Sequence, residues 1–350
     1  MILAAMVPKN KNIRIYGSFN GFRVGDNSYA KFKADPGAMT YFISKNRAVT
    51  NIPLGDGRTP IWAYSPRGIV IQLRAAEAFY SHAIFDFVSP LVVFARVVSL
   101  QHGYPIKRLG AAASKNQFLN YPLVRGIYFI LFRHSFPFFC HEVYSPPGLF
   151  EKNTAEVYAY TNPLIRVEPY ARIQSMQNYV GDINSILFAP TFSRNENLDD
   201  RLRKWGLLDG NRERSALRSA GMSITFRPHP IDVEQAGLLT HDFPHQLDYS
   251  DSYHSDLHRY VGLITDVSSI AFDAMEIGMP VYFLRKDVEE FDEMSSGIFP
   301  RIKSAMLEHS TEDIFEAATK LIAIAQSPTD LEDQVRKLRK SFGLSDVTSG

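Results

Sequence analysis

Short apolar runs punctuate this chain, each closing on small, cyclic or polar residues, with helical periodicity between them. Ile13–Phe19 ends across Gly17-Ser18, Ile61–Tyr64 is a second run, and Val97–Leu100 leads into Gln101-His102-Gly103. The second half repeats the pattern with Ser185–Ala189, Met222–Phe226, Tyr260–Thr265 and Pro280–Leu284. Runs this short and apolar, alternating with helical stretches, fit buried parallel strands joined by helices. Helices are expected over Leu198–Leu208 with Gly210 as the stop, Ser268–Ile277, Glu312–Ala325 and Leu331–Phe342. Ile69–His82 carries mixed periodicity that does not separate helix from strand, and Val157–Tyr160 reads as a short strand after a proline-rich break at Tyr144–Lys152. With 350 residues the chain is long for a single core. The expectation is α/β: two Rossmann-like domains, 1–165 and 166–350, facing a central cleft with ligands at the strand ends.

Composition narrows the class. Hydrophobic residues make up 45% and charged residues 21%, an ordinary globular balance. The 38 basic and 37 acidic residues nearly cancel, which argues against a dedicated nucleic-acid partner. One cysteine, Cys140, leaves no internal disulfide to form and fits a reducing compartment. The opening MILAAMVPKNKN lacks the basic and apolar regions of a signal peptide. No run approaches the roughly 18–20 apolar residues a spanning helix needs, so a soluble or peripheral protein is expected.

Four strand-end stretches place small, basic or imidazole side chains where backbone donors would be exposed: LQHGYPIKRLG (100–110), APTF (189–192), FRPHP (226–230) and TDVSS (265–269). A histidine before a glycine leaves room for a ligand beside a group that titrates near neutrality. Each stretch has a plainer reading. His102 alone is more simply a loop histidine, and His229 between prolines a rigid turn. Arg227 reads equally as a surface pair, and Ser268 and Ser269 as ordinary helix caps or as an anion site at a helix N-terminus.

Taken together, these stretches resemble the CDP-glycerol glycerophosphotransferase family, which includes teichoic-acid polymerases, primases and capsule polymerases. The family's W-H-G-T-P-L-K-K-L-G is similar to Gln101 through Gly110, and its Y-A-P-T-W-R to Phe188 through Arg194. Its R-x-H-P matches Arg227-Pro228-His229-Pro230, and its L-I-T-D-Y-S-S-x-x-x-D matches Leu263 through Asp273 with Val267 for tyrosine. IYGSFNGFRVGDNS (15–28) is similar to the family's opening strand and D-N-S. Departures are Tyr104 for the threonine after His-Gly, and Leu164 where an arginine follows the proline, with Arg166 two residues on. The C-terminal residues 346–350 stop inside a segment that relatives continue, which implies a domain of a longer polypeptide.

The resemblance implies a GT-B fold, with an acceptor-side N-terminal domain and a CDP-donor-binding C-terminal domain. It implies transfer of glycerol-phosphate or ribitol-phosphate from a CDP-alditol to a hydroxyl of a lipid-linked or polysaccharide acceptor, releasing CMP, in teichoic-acid or capsule synthesis. His102 would be the general base, since an imidazole takes a proton at neutral pH. Arg227 and His229 would donate to the pyrophosphate, His229 as a catalytic residue alongside His102, with Pro228 stiffening the loop. Ser268 and Ser269 would hold the diphosphate at the helix start. Asp273 would belong to the nucleotide site and reach a ribose hydroxyl. Gly103, Pro105, Pro190 and Thr191 complete the donor contacts. No D-x-D motif is present, and DSYHSDLH (251–258) reads more simply as a polar loop entering a helix, so neither metal nor cofactor is expected. Two other classes stay open: a GT-B nucleotide-sugar glycosyltransferase or epimerase, and a nonenzymatic nucleotide-binding module at the membrane. Attachment to the inner face of the cytoplasmic membrane is expected through Arg125–His141, RGIYFILFRHSFPFFCH. Within it, Ile127–Phe132 reads more simply as a buried central strand, and Phe136–Phe139 around Pro137 as the part less easily buried.

Overall fold

The structure, a computed structural model, describes residues 2–37, 39–55, 57–113, 117–191, 196–208, 217, 219–229, 232–233, 246–248, 256–294 and 297–345. Gly210, residues 192–194, Pro230, residues 251–255 of the polar string and residues 346–350 lie outside them. The chain divides into two compact units, Met1–Ser175 and Met176–Gly350.

The first unit holds a parallel sheet of β1 (Asn10–Gly17), β2 (Thr40–Ser44), β3 (Ile61–Trp62), β4 (Ala75–Tyr80), β5 (Arg96–Ser99), β6 (Glu142–Ser145) and β7 (Leu164–Val167). Their order across the sheet is β3-β2-β1-β4-β5-β6-β7. The second unit holds β8 (Ser185–Phe188), β9 (Ser223–Phe226), β10 (Gln246–Leu247), β11 (Leu263–Thr265), β12 (Val281–Leu284) and β13 (Ser310–Thr311), ordered β10-β9-β8-β11-β12-β13. Every described pairing in both sheets is parallel. Strands covered on both faces need no polar alternation, and β8, β11 and β12 are buried at every position. In each unit the first strand lies mid-sheet and the chain reverses direction beside it, between β1 and β4 and between β8 and β11. That reversal leaves an opening at the carboxyl ends of the two strands, where open α/β sheets bind ligands.

Local chemistry explains several boundaries. The mixed stretch from Ile69 resolves into a helix, Pro66–Arg74, followed directly by β4. Ser65 caps that helix by accepting from the Gly68 N–H at 2.9 Å, and Pro66 opens it. A side chain at Gly68 would put a Cβ 2.1 Å from the Trp62 carbonyl oxygen, so only glycine lets the helix approach β3 this closely. Val157–Tyr160 is not a strand. Phe150, Asn153, Thr154 and Val157 are buried on one face of the helix Leu149–Val157, a helical spacing that the short apolar run concealed. The chain divides after Ser175 rather than at 165/166, because Leu164–Val167 pairs with β6 and so finishes the first sheet.

The aromatic stretch also departs from expectation. Ile127–Phe132 is neither strand nor buried: it belongs to the helix Pro122–Phe132, in which no residue is buried. Phe136 and Phe139 are the buried part, at 4% and 8% exposure. Pro137 lies in a turn in which the Phe136 N–H donates to the Arg133 carbonyl and the Phe139 N–H to that of Phe136. The turn folds Phe136 onto Phe129 and Tyr160, with ring centroids 5.3 and 6.4 Å apart. Phe136→Ala is therefore expected to cost about 3–5 kcal/mol, as a lower denaturant midpoint of the folded protein. A stability unchanged within about 0.5 kcal/mol would contradict this packing.

Candidate active site

In the first unit the carboxyl ends of β4 and β5 meet the start of the helix Asp26–Ala34, and the D-N-S of the sequence makes the joint. Asp26 Oδ2 accepts from His102 Nδ1 at 2.5 Å, while Oδ1 accepts from Arg172 Nη1 at 2.7 Å and the Asn27 N–H at 2.8 Å. Asn27 donates to the carbonyls of Leu100 and Gln101, at 3.2 and 2.8 Å, and accepts the Arg172 N–H at 3.1 Å. The Ser28 N–H donates to Ser81 Oγ at 2.9 Å. Three consecutive residues thus fasten the end of β5, the end of β4 and the segment at Arg172. Asp26 and Gln101, on either side of the pair, both adopt left-handed backbone, at φ 63° and 54°. Such conformations persist in non-glycine residues only where surrounding contacts enforce them.

Beside His102 stands His82, at the end of β4. The two rings stack with centroids 3.9 Å apart and planes 27° from parallel. His82 Nδ1 accepts the Phe19 N–H at 3.0 Å and lies 3.9 Å from Asp26 Oδ2. Asp86 sets this loop: its carboxylate accepts the N–H groups of Asn20, Ser81 and His82 at 2.6, 3.0 and 3.1 Å. Burial lifts Asp86 to about 7 against the pull of those three donors. Burial also opposes charge on Asp26, but His102 and then Arg172 outweigh it and hold the acid well below the usual carboxylate range. His82 is pulled down to about 3, by burial first and then by the charges of His102 and Arg172, with Asp26 acting the other way. Asp26, His82 and His102 lie close enough to face one cation, their ligand atoms within 4.8 Å of one another. The donor set suits a cation poorly: Arg172 already sits on the carboxylate, and both Nδ1 atoms are engaged within the protein.

The rest of the His-Gly motif is structural in form. The Gly103 carbonyl accepts from Tyr170 Oη at 2.8 Å, and the buried Pro105 gives its carbonyl to Asn153 Nδ2 at 2.9 Å. Tyr104 is buried between Phe150 and Tyr170, with centroids 4.9 Å from each. Arg166 is engaged with Glu142 at 3.2 Å.

In the second unit the ends of β8 and β11 are joined by another buried aspartate. Asp266 Oδ1 accepts both the N–H and the hydroxyl of Thr191, at 2.8 and 2.9 Å. Thr265 Oγ1 donates to the Ala189 carbonyl at 2.6 Å, so Pro190 sits in a loop held from both sides. Arg227 leaves β9 next door, with its Nε donating to Asp248 Oδ2 at 2.9 Å; Tyr260 Oη donates to the same oxygen at 3.1 Å. The His229 carbonyl accepts the Asp232 N–H at 2.7 Å, Pro228 is buried and His229 half-buried. Ser268 and Ser269 are also half-buried. Ser269 is the N-cap of the helix Ile270–Glu276, yet neither its backbone nor its side chain caps in the usual way: φ and ψ are helical and no cap bond forms. Asp273, on that helix, is 1% exposed. The strand order therefore gathers Pro190, Thr191, Arg227, Pro228, His229, Ser268 and Ser269 at the ends of three neighbouring strands, β9, β8 and β11. Gly103 and Pro105 join His102 in the first unit. Asp26, His82 and Arg172 were not singled out from the sequence, although D-N-S and a histidine closing β4 were visible there.

The model of the family CDP-Glycerol:Poly(glycerophosphate) glycerophosphotransferase matches residues 165–346. The chain belongs to this family. The matched stretch takes in the β8, β9 and β11 ends, whereas His102 precedes it. Among solved structures, the wall teichoic acid polymerase TagF is similar over 96% of this chain and 85% of its own, with TM-score 0.66 and 15% identity. A histidine variant of TagF soaked with CDPG gives a TM-score of 0.63 at 15% identity, over 97% of this chain and 87% of that one. A S. aureus MnaA–UDP co-structure is more distant, at TM-score 0.54 and 14% identity over 95% and 93%. No curated protein matches. These likenesses establish the fold as GT-B type, with two Rossmann-like units.

The His82 shift has a checkable consequence. A histidine kept neutral in the folded state takes up a proton only on unfolding, so stability falls as pH drops from about 6.5 toward about 3. The stability difference between wild type and His82→Gln should fall by up to about 1.4 kcal/mol per pH unit across that window, with the Asp86 contribution cancelling. Denaturant titrations at several pH values measure it, and a flat difference would show that His82 is protonated in the folded protein.

Proposed function

We propose that the protein transfers an alditol-phosphate, glycerol-phosphate or ribitol-phosphate, from a CDP-alditol to a hydroxyl of a lipid-linked or polysaccharide acceptor in teichoic-acid or capsule synthesis. The observation that carries this reading is the Asp26–His102 pair. Nδ1–H is donated to the carboxylate, so the Nε2 lone pair remains to take a proton. In the step, the acceptor oxygen attacks the phosphorus that bears the alditol, and its proton passes to His102 Nε2. The phosphoanhydride bond breaks, and CMP leaves with the bonding pair. The second unit is the donor-binding domain in this reading: Thr191, Arg227, His229, Ser268 and Ser269 offer hydroxyl and cationic groups to a diphosphate, and Asp273 takes part in the nucleotide site through its helix. The helix Ile270–Glu276 receives no side-chain cap from Ser269, which supports a role for that hydroxyl other than capping.

Incubation with CDP-glycerol and, separately, CDP-ribitol, followed by mass analysis with acceptor present, tests the reaction. CMP and an acceptor heavier by one alditol-phosphate are expected. His102→Ala should lower the rate by about 10²–10⁴ while CDP affinity and folding persist. Turnover of UDP-sugars instead would favour the glycosyltransferase or epimerase reading, and CDP binding without turnover the nonenzymatic one.

The same proposal places the protein at the inner face of the cytoplasmic membrane. No described helix is long and apolar enough to cross a bilayer. The helix Pro122–Phe132 presents Leu123, Ile127 and Ile130 at 77%, 51% and 69% exposure, and Phe118 and Tyr121 beside it are also exposed. An apolar helix lying open with Arg125 on it and Arg133 just past its end suits the headgroup boundary of an anionic membrane. Co-sedimentation with anionic liposomes should fall at least about fivefold when Leu123, Ile127 and Ile130 are all changed to Ser. Equal binding by both proteins would remove this helix as the contact.

A further inference from the structure

We propose that His82 is a further catalytic imidazole, a fixed N–H donor whose Nε2–H meets a nonbridging oxygen of the phosphate being transferred. The inference rests on the reading of His102 as base and adds to it a residue with the opposite task. The wiring of the two rings carries it. Both Nδ1 atoms face Asp26 Oδ2, at 2.5 Å for His102 and 3.9 Å for His82, so each stacked ring turns its Nε2 edge away from the acid. His102 donates from Nδ1 to a carboxylate, which leaves Nε2 a lone pair. His82 accepts the Phe19 N–H at Nδ1, so its ring proton lies on Nε2. Two imidazoles 3.9 Å apart thus present one acceptor and one donor side by side. Neither Nε2 has a hydrogen-bond partner among the described residues.

The His82 side chain keeps 17% exposure, so an unpartnered donor stays open to an incoming ligand on an otherwise packed ring. Several contacts hold the ring in that pose: the Asp86 carboxylate fixes the backbone of His82 and Asn20, and Phe19, at φ 50°, brings its N–H to Nδ1. Attack at phosphorus gathers negative charge on the nonbridging oxygens, where a preorganised donor is most effective. No proton leaves His82 in this role. His102 alone takes the hydroxyl proton, and the balance of the step is unchanged.

The test uses the full chain and compares His82→Gln with His82→Asn, because the glutamine amide nitrogen falls near Nε2 and an asparagine amide falls near Nδ1. A merely structural role, holding the Phe19 N–H, predicts that Asn preserves activity at least as well as Gln. A donor at Nε2 predicts the reverse: kcat for CDP-alditol turnover lowered about 10²–10³-fold in Asn, about tenfold or more recovered in Gln, and KM for the donor within a few-fold of wild type in both. Equal kcat in the two variants, or Asn the more active, overturns the proposal. His102→Ala run in parallel separates the two ideas. If it loses transfer while both His82 variants keep wild-type kcat, the base stands and the donor falls. If it retains transfer, the reading of His102 itself has failed.

Discussion

A buried carboxylate with its charge fully used is the fulcrum of the first unit. Asp26 and Arg172 are 3% and 4% exposed in their side chains, so neither charge has water to fall back on. Removing one partner of such a pair typically costs about 3–5 kcal/mol, far more than any exposed ion pair on this surface. The pair also sets the chemistry. Because Arg172 and the Asn27 N–H both point at Oδ1, that atom must remain an acceptor, and Oδ2 is the one left to receive the His102 ring proton. Stability and tautomer are consequences of a single arrangement.

The second unit meets a related demand with other groups. Asp266 also sits at the chain reversal and also joins two strand ends, accepting from the N–H and hydroxyl of Thr191. Basic character is close at hand: Arg201 donates to the Thr191 carbonyl, and Arg227 leaves the next strand held by Asp248 and lying over the Tyr260 ring. One unit thus concentrates imidazole and acid, and the other hydroxyl and guanidinium, on the same strand order.

The α/β class and the strand-end motifs were legible because buried parallel strands are short, apolar and bounded by distinctive residues. Two terminal helices were also plain, with Asp313 and Ser327 as side-chain caps. Strands β2, β6 and β7 were not separated from their surroundings: TYFIS, EVYS and LIRV are too brief for periodicity to decide. The functions of Asp26 and Arg172 were hidden for another reason. They are 146 positions apart, and only the completed sheet brings them together. The helix Pro122–Phe132 misled because an apolar run ordinarily signals burial, and here it is exposed.

The position of Arg172 bears on how such units can be recombined. It lies past β7 and only three residues before the first unit ends at Ser175. A crossover at residue 165, the place sequence patterning suggests, would part Asp26 from its counterion and split the last strand from its sheet. Ancestral exchange or engineered chimeras of this architecture would have to carry the tail through Ser175 with the N-terminal unit. The heritable module is therefore longer than the run of conspicuous motifs, and its final ten residues belong electrically to its first thirty.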